Sequence, residues 1–135
     1  MCQLRRHPKE ILTRYVRCGY ISRGLMPPLT PAVMHVLLAL AGEDRHGYGI
    51  LKEVRRQTQD QVRLGPGTIY GTLQRLMEAG WVEERAAPPP GADKRRRYYR
   101  LTRPGRDALQ AEVDRLGALV RTARAHAIVP RPSSR

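Results

Sequence analysis

GPGTIYGTLQRLMEAGWVEER, residues 65–85, changes its hydrophobic period part-way along. Ile69, Leu73, Leu76 and Met77 recur at i, i+4, i+7 and i+8, the spacing of one helix face. Gly65-Pro66-Gly67-Thr68 reads as the turn leading into that helix, and Gly80 as its end. From Trp81 the pattern becomes strand-like, Trp81-Val82-Glu83-Glu84-Arg85, and a second such run follows at Arg97-Tyr98-Tyr99-Arg100-Leu101. The breaker cluster Pro88-Pro89-Pro90-Gly91 separates the two runs, so they read as a hairpin with a long exposed loop. Alternation places Tyr98 and Tyr99 on opposite faces of the second strand. One is expected to pack on the body and the other to lie outward, and which is which stays open.

Two more helices precede this segment. Thr30-Pro31 reads as an N-cap followed by proline at the first helical position. Val33, Val36, Leu37, Leu40 and Ala41 then recur at helical spacing as far as Gly42. Gly47-Tyr48-Gly49 opens a second helix with Ile50, Leu51 and Val54 inward, and the pattern decays near Thr58. Downstream of the hairpin, Thr102 caps a last helix with Pro104 in its first turn. There Leu109, Val113, Leu116, Val120 and Ala123 follow at spacings of 4, 3, 4 and 3, a short heptad seam. The expected fold is mainly α with a small β-hairpin: a winged helix-turn-helix plus a long C-terminal dimerisation helix. The expected divisions are a basic N-terminal extension over 1–28, the winged-helix domain over 29–103, the dimerisation helix over 104–127 and a disordered tail over 128–135.

Charge is unevenly spread. The 135 residues carry 25 Lys and Arg against 12 Asp and Glu, a net +13. Residues 1–28 hold six basic and one acidic side chain, whereas residues 29–84 hold six basic and seven acidic. Residues 85–106 hold eight basic and one acidic, concentrated at Lys94-Arg95-Arg96-Arg97. A nearly neutral helical body with a cationic loop suits a polyanion, above all nucleic acid. At about 100° per residue, the third helix presents Gly67, Gly71, Gln74, Arg75 and Glu78 opposite its apolar stripe. Gln and Arg make bidentate contacts to adenine and guanine edges, and two glycines let a helix approach a groove closely. Thr68 and Tyr70, beside this face near the N-terminus, suit phosphate. Arg85, Lys94, Arg95, Arg96, Arg97, Arg100 and Arg103 would add backbone contacts from the hairpin. These residues mark a double-stranded DNA reader. The competing readings are a general basic module for RNA or non-specific DNA, and an anionic membrane-surface module.

LTPAVMHVLLALAGEDRHGYGI, GPGTIYGTLQRLMEAGWVEER and RRRYYRLTRPG, in that order and spacing, resemble the PadR family of bacterial transcriptional regulators over roughly residues 29–126. The resemblance implies a homodimeric repressor with an N-terminal winged helix and a single C-terminal dimerising helix. It matches Thr68 and Tyr70 to the family's recognition-helix motif, and Arg95, Arg96 and Arg97 to its basic wing. Gly71 stands where many members have proline, and the wing tip Ala86–Ala92 replaces a glycine-rich polar loop. Met26-Pro27-Pro28-Leu29-Thr30 resembles a family start. Residues 1–25 are accordingly expected either to derive from an upstream start codon or to form a basic arm touching phosphates.

The heptad seam is too short to stand alone and needs a partner, either the chain's own first helix or a second subunit, with Glu112, Asp114, Arg115 and Arg121 as its polar flanks. A second copy of the chain is expected there, so that two recognition helices read a palindrome. No aromatic residue lies from residue 101 to 135, which argues against an aromatic drug sandwich at that seam; an inducer of other chemistry stays open. No nucleophile–base–acid set, phosphate loop or metal-like spacing of His7, His35, His46 and His126 supports catalysis, a cofactor or a metal. His35 reads as a boundary residue. Cys2 and Cys18 are too few for a disulfide framework. No apolar run approaches the roughly 20 residues of a membrane span. A bacterial cytoplasmic, nucleoid-associated protein is expected.

Overall fold

The computed structural model describes residues 29–128. The expectations for residues 1–28, including the two cysteines, and for residues 129–135 lie outside the described residues. The first helix, α1 (Pro31–Gly42), begins where the sequence demands: Pro31 occupies its first turn and the Thr30 hydroxyl accepts from the Val33 N–H at 3.3 Å. Its inner face buries Val36, Leu37, Ala39 and Leu40, while Val33 and Ala41 are half-buried.

Between α1 and the next helix lies an element absent from the sequence reading, the two-residue strand β1 (Arg45–His46). It is followed directly by α2 (Gly47–Gln57), capped by the His46 ring, whose Nδ1 accepts from the Gly49 N–H at 2.9 Å. Ile50, Leu51 and Val54 are buried as the spacing predicts. Gln59 and Asp60 then take left-handed φ values of 50° and 63°, reversing the chain toward α3 (Pro66–Glu78). The Thr58 hydroxyl ties the reversal together, donating to the Val54 carbonyl at 2.8 Å and accepting from the Val62 N–H at 3.2 Å.

After α3 come β2 (Val82–Glu84) and β3 (Tyr98–Leu101), and the sheet order is β1-β3-β2, all antiparallel. The expected hairpin is therefore a three-stranded sheet with β3 at its centre. Arg45 pairs with Tyr99 and His46 with Tyr98 on one side, and Val82 pairs with Leu101 on the other. This corrects the reading of the two tyrosines: both are buried. They do alternate, but each face of β3 is covered. Tyr99 belongs to the helical core, while Tyr98 meets the His46 ring edge-on at 5.4 Å and shares a depression with wing residues Pro89–Ala92.

The last helix, α4 (Arg103–Ala125), is fastened to the sheet at its N-terminus. Thr102 caps it by accepting from the Gly105 N–H at 3.2 Å, donates its hydroxyl to the Gly80 carbonyl at 2.6 Å, and donates its own N–H to the Trp81 carbonyl at 3.0 Å. Gly105 is required by this closeness, because a Cβ there would stand 2.1 Å from the Trp81 carbonyl oxygen. Ala108 and Leu109 are buried with α1, so the seam's first member belongs to the chain's own core. Glu112 is a second correction. Expected as a polar flank of the seam, it is buried and holds Arg115 through both oxygens at 2.6 and 2.9 Å, with the Leu29 backbone adding to the stabilisation of its charge. Those contacts hold its carboxyl below the usual carboxylate range, the Arg115 hydrogen bond first and against the opposing effect of burial. Val113, Leu116, Leu119 and Val120 remain exposed along the outer half of α4.

Candidate nucleic-acid interface

The third helix divides as its spacing predicts. Ile69, Thr72, Leu73 and Leu76 are buried, and Gly67, Thr68, Tyr70, Gly71, Gln74, Arg75 and Glu78 face solvent. A methyl group at Gly67 or Gly71 would meet no other atom within 4 Å. Glycine there is not demanded by internal packing, and it leaves the helix backbone bare on its exposed face. The α3 N-cap Gly65 supplies no side-chain hydrogen bond, so the first-turn N–H groups also lack a capping side chain. Gln74 and Arg75 are only lightly engaged. The Gln74 amide donates to Glu78 at 3.2 Å, and the Arg75 guanidinium approaches the Thr72 hydroxyl at 3.4 Å.

Tyr70 leans the other way, toward the start of α2. A Cβ on Gly47 would stand 3.0 Å from the Tyr70 hydroxyl oxygen, so Gly47 makes room for that ring. More than half of Tyr70 is nevertheless accessible. His46, Tyr48, Tyr70, Tyr99 and the wing residues Arg95, Arg96 and Arg97 line one cleft of about 330 Å³. The N-terminus of α3 and the cationic wing thus open onto the same side of the molecule.

The basic residues differ in freedom. Arg85 is a tether: its guanidinium bonds Asp44 at 2.8 Å with both side chains mostly covered, and its N–H donates to the Tyr98 carbonyl. Arg100 pairs with Glu83 across β3 and β2, and Arg97 approaches Glu84 at 3.8 Å. Arg96 approaches Asp93 at 3.5 Å and lies 3.3 and 3.4 Å from the two ring nitrogens of His46. Among the described residues, the side chains of Lys94 and Arg95 make no ion pair. All four residues of the 94–97 run are exposed, and exposed pairs such as Arg97–Glu84 are weak enough to exchange for phosphate.

Two groups have shifted ionisation here. His46 is held below the ordinary histidine value, first by burial and then by the positive charge of Arg96. Burial, followed by the Glu84 charge, pushes the Tyr99 phenol up. Behind them on α2, Glu53 is lowered to about 2, chiefly by its hydrogen bonds from Arg56. His46 and Tyr48 are the site residues the sequence reading passed over. The signal present was a polar side chain directly before a helix start, but His is not among the common capping residues. Among the described residues, no group of three or more His, Cys, Asp or Glu is placed to hold a metal, and no helix is long and apolar enough to cross a membrane.

Known proteins share this arrangement. A PadR family transcription regulator from Clostridium difficile superposes with a TM-score of 0.61 at 21% identity, covering 73% of this chain and 99% of that one, a likeness of fold. A transcriptional regulator of Mycobacterium tuberculosis is 34% identical over 88 residues, 65% of this chain and 78% of that protein. An uncharacterized 37.1 kDa protein of a Streptomyces fradiae transposon is 37% identical over 89 residues, 65% of this chain but only 24% of that longer protein. Residues 36–111, more than half of the chain, match the family described as transcriptional regulator PadR-like. With a mainly helical body, a three-stranded sheet and a basic wing in the matching order, the chain belongs to the PadR-like family of transcriptional regulators.

Proposed function

We propose that the chain is a sequence-specific repressor that binds a palindromic operator as a homodimer. In this reading α3 enters the major groove, with Gln74 and Arg75 toward base edges and Thr68 and Tyr70 toward phosphates, while Gly67 and Gly71 permit close approach. Lys94, Arg95, Arg96 and Arg97 reach the flanking backbone or minor groove, and Arg85 steadies the base of the wing. The observation carrying the reading is the shared cleft, where Tyr70 of α3 and Arg95–Arg97 of the wing line one opening. A duplex is the polyanion that fits a protruding helix and a cationic loop facing the same way.

The exposed outer half of α4 supports dimerisation. Val113, Leu116, Leu119 and Val120 form an apolar strip, continued by half-buried Ala123, that nothing else in the described chain covers. A second copy covers such a strip by symmetry. Selection of bound duplexes from random DNA tests the whole reading. Recovery of a palindromic consensus, bound with steep salt dependence and repressing a reporter that carries it, is the expected result. Equal binding to any duplex, to RNA or to anionic vesicles would replace it with a general polyanion module.

A further inference from the structure

His46 stands where three parts of the molecule meet. It is the last residue of β1, paired with Tyr98 of the central strand, and its ring stands edge-on to the Tyr98 ring. Its Nδ1 caps α2 by accepting the Gly49 N–H at 2.9 Å. From the wing, Arg96 places Nη1 at almost equal distances, 3.3 and 3.4 Å, from the two ring nitrogens. Near-equal distances put the guanidinium over the ring rather than at one lone pair, with the imidazole acting as a platform. We infer that His46 is the positioning residue that registers the wing onto the helix-turn-helix, and that this joint holds only while its imidazole is neutral.

The charges around the ring decide the sign. A proton on Nδ1 removes the only lone pair that can accept the Gly49 N–H, so the cap is lost. The same proton puts an imidazolium against the Arg96 guanidinium. Arg45 on its own strand and Lys52 on α2 add repulsion, and Asp93 on the wing offsets part of it. Glu53, the other acid lining this side, is already engaged by Arg56 and approaches Arg45 at 3.6 Å. The Tyr98 and Tyr48 rings stand 5.4 and 6.4 Å from the imidazole, and Tyr70 lines the same cleft. Burial and Arg96 lower the ring's affinity for protons, so the joint is closed near neutral pH and opens on acidification.

This inference rests on the proposed role of the wing in DNA binding, and two measurements keep the two claims apart. In the full chain, nuclear magnetic resonance should show the His46 ring and the backbone amides of residues 93–97 titrating together, below the ordinary histidine midpoint of about 6.5. In His46→Asn, where Asn restores a helix cap but supplies no ring, those amides should lose the transition at that midpoint although the melting temperature at pH 7.5 stays close to that of the parent. Wing amides that are indifferent to pH, or that titrate alike in both proteins, overturn the joint. On a duplex selected from random DNA by the parent chain, His46→Asn should bind with a salt slope shallower by about one, as one wing contact is lost. The parent's advantage over the variant should shrink as pH falls from about 7.5 to about 5. An unchanged slope and a pH-independent ratio also overturn it. Failure of the parent to select any duplex would refute the DNA reading and leave the amide titration to decide the joint.

Discussion

At the scale of single residues, the proposed DNA contacts separate side chains that would read sequence from those that would only hold backbone. Gln74 and Arg75 project from the exposed face of α3 with weak internal engagement. Replacing Arg75 with Ala should cost about 1–3 kcal/mol on the selected operator and relax preference at one base position, measured by competition among single-base variants. Arg95→Ala should weaken all duplexes alike and make the slope of log affinity against log salt shallower by about one. Side-chain class and helical phase were enough to anticipate that Gln74 and Arg75 are exposed, because the face opposite an apolar stripe has nowhere to go but solvent. His46 was not legible in the same way. Its importance comes from Arg96, fifty residues away, and from a strand of two residues that is too short to leave a periodic trace.

At the scale of elements, the helices of ten or more residues and the two strands of the hairpin announced themselves, and the two-residue strand β1 did not. Thr30 and Thr102 cap as expected, since a cap is a local bond between residues three apart. The burial of both Tyr98 and Tyr99 could not be seen from alternation, which assigns faces but does not say what covers them. The same holds for Glu112. Heptad spacing placed it beside the seam, whereas α4 rotates it inward to meet Arg115 and the Leu29 backbone. Glu112→Gln should lower stability at neutral pH and flatten the acid limb of the stability profile. The carboxyl sits below its ordinary value near 4.5 in the folded chain, so its contribution is complete above that pH and is lost as pH falls through the folded value. Urea unfolding at several pH values reads this directly. Gly105→Ala should be more severe, because its Cβ would meet a backbone carbonyl that cannot swing aside. A loss of about 2 kcal/mol is expected, with a fall in melting temperature of roughly 5–10 °C.

At the scale of the whole molecule, charge and apolar surface are segregated. Cations gather on the wing, the described body is close to neutral, and uncovered apolar side chains gather on the far half of α4. Leu116→Arg and Val120→Glu should each reduce molar mass in sedimentation, and weaken palindromes more than isolated half-sites. A variant that remains dimeric would move the proposed dimer contact off this helix. The strip was partly legible: Val113, Leu116 and Val120 were expected there, Leu109 turned inward, and Leu119 is exposed although the 4–3 spacing skips it.

The latch at the head of α4 gives that helix a second meaning. Thr102 clamps it to Gly80 and Trp81, immediately beyond the end of α3, and from there it runs unbroken to Ala125. In the proposed dimer it acts as a gear shaft: one end is keyed to the reading head, the other to the twin shaft. The rotational phase between two reading heads is then written in the number of residues between latch and strip. One alanine inserted after Glu112, ahead of the strip, turns the far half by about 100° and advances it about 1.5 Å. Such a protein should fold and should still dimerise through a rotated strip. It should also select half-sites at a different spacing, so that the grammar of the operator is set by the length of α4.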